Sequence, residues 1–140
     1  MGRPIATYFD PFAAAAQFQQ HAEAGYNAQG QTSLNTPGFV NLTLRQPVGP
    51  VAVIIPCNLP TLMFGIKVAP ALAAGCTVVL KSSEKAPLTP TKLAQLAHEA
   101  GFPPGLINVL NGRGTPSGAA LSTHMDIRLV NFTGSTATGK

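Results

Sequence analysis

Gly134-Ser-Thr-Ala-Thr-Gly139-Lys140 has the residue types and the spacing to hold a phosphate. Two glycines bracket four residues and a lysine follows, as in a P-loop, where backbone N–H groups and the lysine surround the phosphates. The Ser or Thr that would complete that pattern is not part of the sequence, and three βα units precede the motif, whereas a P-loop usually comes early in its domain. A second reading keeps the physics and changes the ligand: Phe132-Thr133-Gly134-Ser135-Thr136 makes a strand-to-helix turn suited to a pyrophosphate at a helix N-terminus. Further polar clusters stand at Pro56-Cys57-Asn58, at Lys81-Ser82-Ser83-Glu84 and at Asn111 to Gly114. Cys57 has the atom for a nucleophile, but no His or Lys lies in its motif to lower its pKa, so a small core thiol is expected. Neither Cys57 nor Cys76 has metal-ligand spacing, and no metal site is expected.

The elements that must position these clusters follow from residue pattern. Asp10-Pro11 opens a first helix, with Asp10 as N-cap, that runs to Ala24 and stops at Gly25. Tyr26 to Gly38 is polar and Gly-rich and reads as loop. Val40, Leu42 and Leu44 then alternate with Asn41, Thr43 and Arg45, the period of a half-exposed strand, either an ordinary hairpin strand or an arm pairing across a subunit interface. From Pro47 the pattern changes. Val51 to Ile55 is a continuous apolar run, as in a strand buried on both faces. A helix over Thr61 to Ala74 follows Pro60 and bends at Pro70, and Thr77 to Leu80 is the next strand. Thr89 caps a helix that runs to Ala100, and Ile107 to Leu110 is a third strand. A short helix near Ser117 to Ser122 and a strand over Arg128 to Phe132 complete the series.

Strands and helices that alternate with short connections predict an α/β fold: a partial Rossmann-like, doubly wound parallel sheet of βαβ units, preceded by a helix and a strand arm. Ligands of such sheets bind beyond the carboxyl ends of the strands, where every one of the polar clusters falls. The expected organisation is helix and loop over 1–31, a possible oligomerisation arm over 32–46 and a βαβ cofactor-binding core over 47–140.

Composition narrows the function classes. The net charge is +4, but the nine Lys and Arg residues are dispersed, so no nucleic-acid footprint is expected. The longest apolar stretch, Val68 to Leu80, is interrupted by Pro70 and Gly75 and is too short to span a bilayer. With no signal pattern and no disulfide framework, a soluble protein of the cytoplasm is expected. Charged residues make up only 10% of the chain against about 25% in a typical soluble domain. Part of the surface is therefore expected to be covered, by a partner subunit or by further chain.

Four segments in register resemble the aldehyde dehydrogenase superfamily: Pro47-Val48-Gly49-Pro50 through Pro56-Cys57-Asn58-Leu59-Pro60; Lys81-Ser82-Ser83-Glu84 with Pro87-Leu88-Thr89; Gly101-Phe102-Pro103-Pro104-Gly105 with Asn108-Val109; and Phe132 to Thr136. The resemblance extends from about Gly2 to Lys140. It implies an NAD(P)-dependent oxidation of a small aldehyde to a carboxylic acid through a cysteine thiohemiacetal, with a homo-oligomeric enzyme as the full-length form. Asn58 matches the family's oxyanion-stabilising asparagine. Lys81 and Glu84 match residues on the adenosine ribose hydroxyls, with Ser83 beside them. The carboxylate favours NAD, while Lys81 and Ser83 leave NADP possible. Ile54, Ile55 and Pro56 are implied on the adenosine side, Gly114 and Gly118 at the adenine, and Phe132, Thr133, Gly134 and Ser135 at the pyrophosphate.

The sequence departs from the family at Cys57, where a Trp or another large side chain is usual. The family's nucleophilic Cys and general-base Glu lie further along the chain than Lys140, and His21, His98 and His124 do not replace them. The 140 residues are therefore expected to be a catalytically silent piece of such an enzyme. A non-catalytic remnant that binds nucleotide or pairs with a full-length subunit is the alternative, and a P-loop NTPase fragment is a third.

Overall fold

A computed structural model describes residues 9–140. The start of the 1–31 segment, before Phe9, lies outside the described residues. The elements are α1 (Asp10–Gly25), β1 (Gln31–Ser33), β2 (Asn41–Thr43), β3 (Val51–Ile54), α2 (Pro60–Ala73), β4 (Val78–Lys81), α3 (Leu88–Glu99), β5 (Ile107–Leu110), α4 (Ala119–Ser122), β6 (Leu129–Phe132) and α5 (Thr136–Gly139). A single π-helical turn, Gly114–Gly118, leads into α4. No described helix is long and apolar enough to cross a membrane.

The fold is α/β. Four strands form a parallel sheet in the order β5-β4-β3-β6. Because side chains alternate across a sheet, the register sorts them onto two faces. Val51, Val53, Val78, Leu80, Ile107 and Val109 share one face and, with Ile55, Phe64, Val68 and Cys76, form the core under α2. Phe18 of α1 and Leu93 of α3 pack against that core. Ala52, Ile54, Lys81, Val130 and Phe132 share the opposite face, toward the Gly114–Ser122 segment.

α1 lies close along α2, and Gly65 makes this approach possible. A Cβ at Gly65 would stand 2.9 Å from the Cα of Ala14 and 3.0 Å from its carbonyl oxygen. At the far end of α2, Gly75 turns the chain with a φ of +77°, a left-handed conformation that suits glycine.

Several boundaries differ from expectation. Asp10 is the first helical residue rather than the N-cap, which is Phe9. Likewise α3 starts at Leu88, so Thr89 is inside the helix. Both misplacements come from fixing proline at the first helical position, although any of the first four N–H groups of a helix lacks an intrahelical partner, so proline is tolerated further in. Pro70 lies inside α2, as expected, and the helix spans Pro60–Ala73, one residue earlier at each end than expected. Gln31–Ser33, expected as loop, is a strand that pairs antiparallel with Asn41–Thr43. The pairing makes the period-two segment half of a hairpin whose Val40, Leu42 and Leu44 are exposed.

A candidate dinucleotide cleft at the carboxyl end of the sheet

Three strand ends converge on the site. Ile54, Lys81 and Phe132 close β3, β4 and β6 and stand side by side in register, so all three point to the same face. Above them the π-helical turn and α4 form the opposite wall. The resulting cleft has a volume of about 620 Å³ and is lined by Ile54, Lys81, Gly114, Thr115, Gly118, Ala119, Ser122, Val130, Phe132, Thr138, Gly139 and Lys140. A second cleft of about 400 Å³ adjoins it through Phe132, Gly139 and Lys140, and is completed by Thr133, Gly134, Ser135 and Thr136.

Lys81 is nearly buried, and its Nζ lies 3.3 Å from Oε2 of the half-exposed Glu84. Three groups hold Glu84 ionised below its ordinary pKa, against a smaller opposing effect of desolvation: its own main-chain N–H first, then Lys81 through both a hydrogen bond and its charge, and last the Gly114 N–H. A Cβ at Gly114 or Gly118 would meet no atom within 4 Å. Both positions face open cleft, and glycine leaves that space to a ligand.

The turn after β6 is tightly made. Phe132 lies against Gly134, where a Cβ would come within 2.4 Å of the ring, and against Gly139, where the approach would be 3.3 Å. Ser135 caps α5, accepting from the Thr138 N–H at 3.3 Å. One helical turn after the Gly-Ser-Thr segment is thus present.

Of the residues singled out from sequence, Ile54, Lys81, Gly114, Gly118, Phe132, Thr133, Gly134 and Ser135 border the two clefts. Glu84 reaches the site through Lys81 and Gly114. Ile55 turns the other way and buries its side chain in the core, which leaves only its main chain to the cleft side. Pro56 and Ser83 are half-buried in the loops after β3 and β4. Asn58 is exposed between β3 and α2, at the same end of the sheet. Val130, Thr115, Ala119 and Ser122 were not singled out; period two along β6 places Val130 with Phe132.

Beyond the cleft wall, the Lys67 ammonium on α2 donates to the Asn131 side chain on β6. Partial burial lowers the Lys67 pKa. Ser82 is fully buried and donates to Oδ1 of Asn111, whose Nδ2 donates to Thr91 Oγ1 at 3.2 Å. Among the described residues no cluster of three His, Cys, Asp or Glu side chains is placed to hold a metal.

The model of the aldehyde dehydrogenase family matches residues 1–140. The chain belongs to the aldehyde dehydrogenase family. Aldehyde dehydrogenase 1 of Tanacetum cinerariifolium is 48% identical over 141 residues, which is 99% of this chain and 28% of that protein. The NADP/NAD-dependent aldehyde dehydrogenase PuuC of Escherichia coli is 46% identical over 91% of this chain and 26% of its own length. The crystal structure of PnpE in complex with nicotinamide adenine dinucleotide matches with a TM-score of 0.95 at 41% identity, over 99% of this chain and 29% of that one. This aldehyde dehydrogenase family chain thus spans little more than a quarter of the length of these relatives.

Proposed function

We propose that these 140 residues furnish the nicotinamide dinucleotide site and the oxyanion donor of an aldehyde dehydrogenase that oxidises a small aldehyde to a carboxylic acid. The observation that carries the reading is the convergence of Lys81, Gly114, Gly118 and the Phe132–Ser135 turn on two adjoining clefts at the carboxyl end of a parallel sheet, with Glu84 paired to Lys81 beside them. We read that sheet as part of a Rossmann-like, doubly wound fold, with 47–140 as the cofactor-binding core and 32–46 as an arm for homo-oligomer assembly in the cytoplasm. PnpE, solved with the dinucleotide, supports the choice of ligand, and so does PuuC, whose name gives both NADP and NAD.

The residues present fit a dinucleotide. In this reading the Glu84 carboxylate accepts from a ribose hydroxyl and the Lys81 ammonium donates to it. A 2′-phosphate beside the Glu84 charge is repelled, so NAD is preferred and NADP tolerated. Gly114 and Gly118 leave the room that an adenine ring fills. The Thr133–Ser135 turn presents N–H groups and a hydroxyl to the pyrophosphate. When bound, the nicotinamide accepts a hydride. Asn58 donates its side-chain N–H to the aldehyde oxygen as that oxygen gains charge, an interaction worth about 3 kcal/mol of barrier in comparable sites. The chain's own thiols, Cys57 and Cys76, are half-buried and buried, and neither is assigned as nucleophile.

Calorimetric titration of the purified chain with NAD⁺ and with Mg-ATP tests the reading. Saturable NAD⁺ binding, with Mg-ATP weaker, supports it. Preferential Mg-ATP binding transfers the Gly134–Lys140 turn to the P-loop reading. Aldehyde-dependent NADH production by these residues alone would contradict the assignment of Asn58 as a donor without a nucleophile.

A further inference from the structure

The loop that carries Glu84 is tied at both ends by one directional chain of hydrogen bonds. At its start, the fully buried Ser82 hydroxyl donates to Asn111 Oδ1, and the Ser82 N–H donates to the Leu110 carbonyl at 3.1 Å. Asn111 passes the direction on, its Nδ2 donating to Thr91 Oγ1 at 3.2 Å. Thr91 Oγ1 in turn donates to the carbonyl of Pro87, at the end of the loop, at 3.0 Å. Between these anchors the loop is a tight turn, with Ala86 N–H on the Ser83 carbonyl and Lys85 N–H on Ser83 Oγ.

Asn111 also begins the second loop of the site. It follows Leu110, the last paired residue of β5, and leads through Gly112, which packs against Ser117, to Gly114, whose N–H helps to lower the Glu84 pKa. One side chain therefore fixes the start of the Glu84 loop, the end of the Glu84 loop and the start of the Gly114 turn. An amide is suited to the task because it accepts with one atom and donates with another. Aspartate in its place accepts from Ser82 but gives Thr91 no donor.

We propose that Asn111 is a positioning residue that holds the loop carrying the Glu84 carboxylate in place beside Lys81, and so sets the affinity of the ribose subsite for a 2′-hydroxyl over a 2′-phosphate. The ligand part of this inference rests on the dinucleotide reading above. Its test compares the wild-type chain with Asn111→Ala, Asn111→Asp, Thr91→Val and the Asn111→Ala/Thr91→Val double variant. Three quantities are followed: the NAD⁺ and NADP⁺ dissociation constants by calorimetry, the Glu84 carboxyl titration by carbon NMR, and the melting temperature.

Asn111→Ala is expected to weaken NAD⁺ binding about tenfold, the scale of one lost buried hydrogen-bond partner, to narrow the NAD⁺/NADP⁺ ratio and to raise the Glu84 pKa toward its ordinary range. Thr91→Val is expected to do the same to a smaller extent, and the double variant no more than Asn111→Ala, because both substitutions break one chain. Asn111→Asp is expected to fall between wild type and Asn111→Ala. A lowered melting temperature with unchanged NAD⁺ affinity and unchanged Glu84 titration would overturn the proposal. Should Asn111→Ala not fold, Thr91→Val decides on the same criteria. Absence of NAD⁺ binding by the wild type overturns the dinucleotide reading and the affinity claim with it, while the Glu84 titration still decides whether Asn111 positions the carboxylate.

Discussion

Glu84 pairs with the Lys81 ammonium at 3.3 Å while its side chain stays half in solvent, and main-chain N–H groups together with that lysine lower its pKa. Such a carboxylate is held charged, and a charged carboxylate is what distinguishes a free ribose hydroxyl from a phosphate. Glu84→Gln is expected to weaken NAD⁺ binding about tenfold, since hydrogen bonds to charged groups are the stronger ones, and to weaken NADP⁺ binding less or improve it. Competitive titration of the two nucleotides checks this, and an unchanged ratio counts against the ribose assignment. The same residue gives a pH signature. The folded-state pKa lies below the unfolded one, so its stabilising contribution is present above the ordinary glutamate range and is lost as pH falls through the lowered value. The difference in melting temperature between wild type and Glu84→Gln should therefore shrink on acidification. A difference that persists or grows in acid contradicts the sign.

Elements bring such residues together, and the sequence reveals them unevenly. The βαβ series was legible because Val51 to Ile55 and Val78 to Leu80 are apolar runs between turn residues, and burial of those runs decides the fold. The hairpin strand Gln31–Ser33 was not legible. It is polar, three residues long and largely exposed, so only its pairing with β2 defines it. The Ser82–Asn111 pair was also hidden, because it joins residues 29 apart whose meeting depends on the register of β4 with β5. The direction of Ile55 was lost for a related reason, since a continuous apolar run does not say which face each residue takes. Two glycines test the packing of elements. Gly65→Ala forces α1 off α2, because the atoms it meets are mainly the Ala14 backbone. A loss of about 1–3 kcal/mol in urea unfolding is expected, and an unchanged midpoint contradicts the close approach. Gly134→Ala meets first the Phe132 ring, which can swing. Stability should change by less than about 1 kcal/mol, while the displaced ring blocks the cleft and weakens NAD⁺ binding. Unchanged binding would remove Phe132 from the pyrophosphate subsite.

At the scale of the whole molecule, one face of the sheet is the core and the other borders the cleft that we propose as the binding site. The edges lie at β5 and β6, and Leu110, Leu129 and Val130 remain 41–45% exposed there. The sheet forms one side of the cleft and the Gly114–Ser122 segment the other, and the proposed dinucleotide is laid along the sheet's carboxyl end. Binding alone does not test that layout, since a nucleotide could occupy the apolar face in another orientation. The decisive measurement is a crystal structure of the chain with NAD⁺. The account predicts the adenosine ribose hydroxyls on Lys81 and Glu84, the adenine beside Gly114 and Gly118, and the pyrophosphate at the Phe132–Ser135 turn. A nucleotide seated on the α2 face, or one bound with its phosphates away from that turn, would contradict it.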